Sequence, residues 1–589
     1  MIARQPSHHQ SSGVAAAPRG RFASPRARAA AQMRRRRQAD SHAIDVRGER
    51  YLKRQKEAGN SSWLGLAART LAVLALAGLA LAAVLVVAFE PHRELHAALP
   101  EALRPFRPLP IRALNALNVA VRALLGVEMV ELLDVEALLA ATCASFVAEQ
   151  GGAAPVADCD WGDKEWGSGW REGLGVLVHS LREEAALTLI GRFFATHRLG
   201  MILDQRLRLV AYWKSDAHRD AVLRAEVAPP LFVVGLPRTG TSFLHTLLSQ
   251  DAENFRSPLN WMVVEPVPPL YGVITDAGGD IDAAGLDDAV VQTTVDEPPA
   301  SADLRRERIA RASENLRQFK SIAPGIDSQH AMSAFRPEEC IVYLAHTFVG
   351  GWEFTTYFNL PSFTAWLRDR PDYSEAMRWH RQMLKHLGSS VHKQAEGGDS
   401  AKPWVLKTPY YTPMLADLVR EYPDAKIVMT HRRPVQALTS LNALQSKLRS
   451  ITSDDVSPPA IARELFGLWD GFAERALATR QAWADDNEEK NGGAVPGGGL
   501  VDIELTQLHT DPITTVQQIY NALNYTLSAP AEARMRGWLA QNGREKHGKN
   551  RYDRSWFGIA SVEETLSRFD QHPPPRGEWQ LVGQSSAAL

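Results

Sequence analysis

The sequence predicts an α/β fold of the P-loop, three-layer kind, built on a mostly parallel central sheet. Three observations carry that prediction. Short apolar runs, LFVVG (Leu231–Gly235), WVLKT (Trp404–Thr408) and AKIVMT (Ala425–Thr430), are each followed by helical patterning, as buried parallel strands and their crossovers are. The first run opens into a Gly-rich octet, Gly235–Ser242, and then an amphipathic stretch, which is a strand–loop–helix unit. Cations stand at the carboxyl ends of the other two runs, Lys407 and Arg432, where α/β folds bind ligands.

The 589 residues suffice for more than one folded unit, and a net charge of -1 excludes a global attraction to nucleic acid. Three widely spaced cysteines, Cys143, Cys159 and Cys340, make no metal cluster by themselves. One disulfide can form among them, and at least one thiol is left over.

Residues 1–60, rich in Arg, Ser, Gln and Pro, read as a disordered basic tail. Thr70–Phe89 is uncharged and apolar; at about 1.5 Å per residue it spans a hydrocarbon core of roughly 30 Å. A buried Ala/Leu helix or a cleaved signal peptide are the plainer readings, but the run is too long and too far from the N-terminus for a signal. Lys53, Arg54, Lys56 and Arg69 crowd its N-terminal side, which keeps the tail cytoplasmic and everything after residue 90 lumenal, in the Golgi of a eukaryote. The rival reading takes the Arg- and Ser-rich start as an organelle transit sequence. Residues 91–130 read as a stalk with an amphipathic stretch, and 131–225 as the helical first part of the catalytic unit. Residues 226–575 form the α/β domain and 576–589 a disordered tail.

Within the octet, Gly235-x-x-x-x-Gly240 followed by Thr241 and Ser242 has phosphate-loop spacing, yet the lysine expected before the hydroxyl residue is Thr241, and Arg238 sits inside the loop. Backbone amides and a planar cation suit a fixed oxyanion better than the end of ATP with its metal. A plain Gly turn between a core strand and helix is the structural alternative. The stretch KPWVLKTPYYTPMLADLVREYPDAKIVMTHRRPVQALTS adds Lys407, Arg432 and, eight residues on, Ser440. Surface charge and a strand terminus would explain these one at a time, but not all three beside the loop.

PRTGTSFLHTLL and THRRPVQALTS together resemble the two cofactor segments of the sulfotransferases that use 3'-phosphoadenylyl sulfate (PAPS). REGLGVLVHSLREEAALTLIGR, PEEC (Pro337–Cys340) and KHGKNRY (Lys546–Tyr552) look most like the broad family-3 branch, and the resemblance covers roughly residues 130–570. It implies that Pro237, Arg238, Thr239, Gly240, Thr241 and Ser242 cradle the 5'-phosphosulfate, and that Arg432 and Ser440 hold the 3'-phosphate. Lys407 falls where cytosolic relatives contact the bridging oxygen, and Lys546 would close over the 3'-phosphate or bind substrate, a solvated basic loop being the plainer reading. No metal is implied, because sulfuryl transfer from a mixed anhydride needs none.

The general base departs from the family pattern. Cytosolic relatives read Lys-Thr-His; this chain reads Lys407-Thr408-Pro409. His330 is the expected base, with Glu339 next and Glu338 and Glu265 behind. A lone histidine before a helix is more often a cap or core hydrogen-bonder, and Glu338 and Glu339 would suit a helix first turn. Trp261, Trp352, Phe354, Tyr357, Trp366 and Tyr410 form either an aromatic acceptor wall or ordinary core. The topology points to a glycan, glycolipid or other secretory-pathway acceptor. A P-loop nucleotide kinase or NTPase, and a membrane-tethered nucleotide-binding protein without catalysis, are the competing functions.

Overall fold

The computed structural model describes residues 99–100, 103–104, 106–150, 159–270, 299–389, 402–491, 499–543 and 553–558, all within the compact unit Ala80–Leu589. The run Thr70–Phe89, both tails and Lys546 lie outside the described residues. Among the described residues no helix is long and apolar enough to cross a membrane.

Four strands make one fully parallel sheet in the order β2-β1-β3-β4: β1 (Leu231–Gly235), β2 (Val405–Lys407), β3 (Lys426–His431) and β4 (Leu500–Glu504). Three of them are the expected runs. β4 was not expected: LVDIE carries two acids and is fully buried only at Leu500 and Ile503, as an edge strand can be. Side chains alternate between two cores. Phe232, Val234, Leu406, Ile427 and Met429 enter the larger, while Leu231, Val233, Val405, Val428 and Ile503 enter the smaller, so helices cover both faces.

The principal helices are α1 (Leu109–Leu125), α2 (Leu189–Lys214), α3 (Thr241–Leu248), α4 (Pro434–Thr452), α5 (Pro458–Asn491) and α6 (Ala529–Gln541). Thr188 caps α2 by accepting from the amide of Gly191 at 3.1 Å. α4 opens on Pro434, whose missing N–H costs nothing at a first helical position. Arg449 of α4 forks onto Glu464 of α5 with both contacts at 2.8 Å, fixing the two helices to each other. Cys143 and Cys159 form a disulfide, and Cys340 is the buried free thiol.

Because all four strands run the same way, their carboxyl ends, Gly235, Lys407, His431 and Glu504, come to one edge of the sheet. The site is built there.

Candidate functional site

The phosphate-loop spacing folds as a tight turn between β1 and α3. Gly235 (φ +146°) approaches Thr430 so closely that a Cβ would stand 2.6 Å from its carbonyl oxygen, and at Gly240 (φ +96°) a Cβ would stand 2.5 Å from Leu505 Cδ1. Arg238 also lies in the left-handed region, at φ +69°, where a non-glycine residue is held only by its surroundings. Pro237 and Thr239 are buried beneath the turn, and the Thr239 hydroxyl meets Leu236 O and Thr430 Oγ1, both at 2.6 Å. Thr241 is the first residue of α3, and Ser242 beside it is open to solvent.

The surroundings that hold Arg238 are the second segment. Its Nε donates to Ser440 Oγ at 3.1 Å and its Nη1 to Gln329 O at 2.6 Å, while its own carbonyl accepts from Arg432 Nη1 at 3.0 Å. The turn between β1 and α3, the residue that follows β3 and the second turn of α4 therefore meet around one arginine.

Lys407, at the end of β2, is almost wholly buried, with 3% of its side chain exposed. Its ammonium donates to Ser242 Oγ at 2.9 Å and pairs with Glu339. The pairing follows from the backbone: the amide of Cys340 donates to Lys407 O at 3.0 Å, so PEEC is pinned against the strand end. Glu338 turns away to accept from Asn260 Nδ2 at 2.6 Å, and burial pushes its carboxyl above the usual range. Both glutamates stand just before the short helix Ile341–Leu344 rather than in a helix first turn. Glu265 is engaged elsewhere, in a two-pronged pair with Arg311 at 2.8 and 2.6 Å.

His330 follows the single turn Ile326–Ser328, its backbone N–H donating to Ile326 O at 2.8 Å. Burial, and then the charges of Lys407, Arg238 and Arg336, push its imidazole down to about 4 against the opposing pull of Glu339. At neutral pH it is therefore uncharged.

Arg238, Thr239, Ser242, His330 and Arg432 line a single cleft of about 1270 Å³, with Arg336 and Arg433 on the same walls. Lys407, Glu339 and Ser440 form its second layer, each touching a lining residue or its partner. The six aromatics considered as an acceptor wall do not line it; Trp261, Trp352, Phe354 and Tyr410 are core.

Two further groups on these walls had no clear mark in the sequence. Asp502 of β4 accepts from Arg480 of α5 at 2.9 and 2.7 Å and contacts His431 Nε2 at 2.6 Å. Burial raises the Asp502 carboxyl, yet the His431 bond and the Arg480 charge outweigh it and hold the group below the usual range. Phe243 of α3 packs edge-on to His509 at 5.8 Å and against Trp538 of α6 at 5.5 Å, an aromatic corner at the cleft end. His431, next to Arg432, was the available hint for the first group; the second joins residues almost three hundred positions apart. Among the described residues no cluster of His, Cys, Asp and Glu is arranged to hold a metal ion.

Chemically the cleft gathers the guanidiniums of Arg238, Arg336, Arg432 and Arg433, a loop of amides and hydroxyls, and the neutral imidazole of His330, a set suited to an anion. A family model described as the sulfotransferase family matches residues 229–529, just over half of the chain. Two solved structures share the fold. The sulfotransferase STF1 from Mycobacterium tuberculosis H37Rv matches at TM-score 0.55 and 24% identity over 75% of this chain and 100% of its own. The sulfotransferase STF9 from Mycobacterium avium matches at TM-score 0.57 and 23% identity over 77% of this chain and 98% of its own. No curated protein matches the sequence.

Proposed function

The chain belongs to the sulfotransferase family, and from that premise we propose that it moves a sulfuryl group from PAPS to a hydroxyl or amine acceptor. The observation that carries the donor assignment is the meeting of Arg238, Arg432 and Ser440 at one corner of the cleft. A nucleotide phosphorylated at both its 5' and 3' positions needs two separate anion sites, and these residues belong to both. The loop from Pro237 to Ser242 takes the 5'-phosphosulfate, and Arg432 with Ser440 takes the 3'-phosphate. The aromatic corner of Phe243, His509 and Trp538 gives the cleft wall an apolar patch against which an adenine would pack. Lys546 joins the set on the sequence resemblance alone.

In the transfer, a trigonal sulfuryl group passes in line from the phosphate oxygen to the acceptor oxygen or nitrogen. The S–O bond to the leaving phosphate breaks, and its charge is met by Arg238, by Lys407 and by the loop amides. The acceptor proton passes to His330, which lines the cleft and is uncharged at neutral pH, while Glu339 is occupied by Lys407.

Thr70–Phe89 anchors the chain in this reading, with the catalytic unit lumenal and a glycan, glycolipid or other secretory-pathway acceptor. The disulfide Cys143–Cys159 supports it, since such bonds persist in oxidising compartments. The test is a thermal-shift titration with adenosine 3',5'-bisphosphate against ATP and magnesium, followed by labelled sulfate transfer to a panel of glycans and alcohols. Stabilisation by ATP with magnesium alone would end the donor assignment; binding without transfer would leave a non-catalytic nucleotide binder.

A further inference from the structure

Helix α1 buries asparagines and leaves leucines exposed at its two ends. Its buried positions are Asn115, Ala116, Asn118 and Ala120, while Leu109, Leu124 and Leu125 are 61%, 81% and 71% exposed. The arrangement is held by specific bonds. Asn118 Oδ1 accepts from the amide of Met129 at 3.1 Å and its Nδ2 donates to Glu128 Oε2 at 3.2 Å, and Arg192 of α2 pairs with Glu128 at 3.0 Å. Gly126, at φ +66°, ends the helix by donating to Arg122 O at 2.9 Å. The chain then folds back so that Val127 (57% exposed) and Met129 (37%) extend the apolar tip.

Single exposed apolar residues are ordinary, but these are concentrated. Of the eleven exposed large hydrophobics among the described residues, eight lie between Phe106 and Leu133. The other three, Phe193, Leu223 and Leu477, are scattered singly, so the tip is a local concentration that calls for a cover.

We infer that the tip of α1, Leu124, Leu125 and Val127 with Met129 beside them, inserts into the surface of a lipid bilayer and seats the catalytic unit on the membrane. This rests on the anchor proposed above, and that anchor is what favours lipid over other covers. The uncharged run ends at Phe89 and α1 starts at Leu109. Even fully extended, the chain from Phe89 to Leu109 reaches no more than about 70 Å, at roughly 3.5 Å per residue. The tip is therefore kept near the bilayer at high effective concentration, and a patch too weak to bind from solution is enough. The shape agrees. Leu124, Leu125 and Val127 surround a helix end and protrude, with Arg122 beside them able to keep its charge among headgroups.

The full chain is reconstituted in vesicles of phosphatidylcholine with a minor share of phosphatidylglycerol. Leu125→Cys carries an environment-sensitive fluorophore, Cys340 being buried, and exposed Arg536→Cys on α6 serves as the control. Spin-labelled lipids should quench the probe at 125 and not at 536, and Leu124→Glu should abolish that quenching. A carbonate-resistant chain whose probe at 125 is unquenched overturns the inference and leaves the anchor standing. A chain that carbonate extracts defeats the anchor; if its probe was lipid-quenched beforehand the tip still binds membrane, and if not, both readings fail. Probe-to-probe transfer between chains without lipid quenching assigns the tip to a second copy and likewise overturns the inference.

Discussion

The guanidinium of Arg238 donates to the hydroxyl of Ser440 at 3.1 Å, across 202 positions of sequence. Neither residue is at the other's strand end: one is in the turn after β1, the other on the helix after β3. The contact exists because β1 and β3 are adjacent and parallel, with Gly235 opposite Thr430, so the segments that follow them leave the sheet side by side. A ligand bound by one of these residues is within reach of the other.

Replacing either residue is therefore expected to weaken the same ligand. Arg238→Ala should raise the Kd for adenosine 3',5'-bisphosphate about 10- to 100-fold, as loss of a charge-assisted bond worth about 1.5–3 kcal/mol would. Ser440→Ala should raise it several-fold. Titration calorimetry on the two single variants and the double should reveal coupling of about 0.5–3 kcal/mol. Additive losses would mean that the pair does not grip one nucleotide.

Lys407→Met should lower kcat about 10²- to 10³-fold by removing charge from the leaving oxygen. It also strands Glu339 beside the strand end, so a stability loss of about 3–5 kcal/mol is expected with it. Lys407→Met combined with Glu339→Gln should recover most of that stability and none of the turnover. Chemical denaturation and single-turnover rates separate the two effects. Recovery of turnover in the double variant would remove Lys407 from the chemistry.

His330→Ala should cut kcat about 10²- to 10⁴-fold while nucleotide binding stays nearly intact. The free imidazole is held down to about 4, so it is already in the basic form throughout the neutral range. The acid limb of kcat/KM is then expected well below the ordinary histidine value. A limb near about 6.5, or unchanged turnover in the variant, would assign the proton to another group.

Four other histidines make stability itself pH-dependent. Burial pushes His245, His346, His380 and His386 down to about 3. Their unfolded values are higher, so as pH falls below about 6.5 the unfolded chain takes up protons that the folded chain refuses. The stability they contribute is complete above that value and is lost as pH falls toward about 3, by about 1.4 kcal/mol per histidine per unit. Denaturation midpoints should drop steeply between pH ~7 and ~5. A flat profile would contradict the burial of these rings.

Much of the sheet was legible because buried parallel strands are short apolar runs, as at Leu231–Gly235 and Lys426–His431. β4 was not, since an edge strand needs no apolar run and Asp502 and Glu504 break the pattern. The loop and its cations could be read because glycine spacing and charge at strand ends are local signals. The Lys407–Glu339 pair could not, because it depends on a hydrogen bond from the Cys340 N–H to Lys407 O that only the fold creates. The arrangement of α1 was equally hidden: its sequence is amphipathic either way, and only packing decides that the asparagines face inward.

The proposed topology makes a prediction that no feature of the cleft affects. Two glycosylation tripeptides flank the apolar run, Asn60-Ser61-Ser62 before it and Asn524-Tyr525-Thr526 after it. Asn524 is exposed in the turn after the helix Pro512–Ala522, and Thr526 is exposed as well, so a glycan meets no packed surface there. With a cytoplasmic tail and a lumenal catalytic unit, expression in a secretory-competent eukaryotic cell should add one glycan, at Asn524, and none at Asn60. Thr526→Ala is the better disabling change, because Asn524 lies at φ +54°, a left-handed conformation that asparagine tolerates better than most replacements. The variant should migrate as the deglycosylated protein does, whereas Asn60→Gln should change nothing. In the same cells Cys143 and Cys159 should resist alkylation until reduced. A chain with no glycan at Asn524 and freely alkylated thiols at 143 and 159 would put the catalytic unit in a reducing compartment, and a transit sequence would then be the better account of the Arg-rich start.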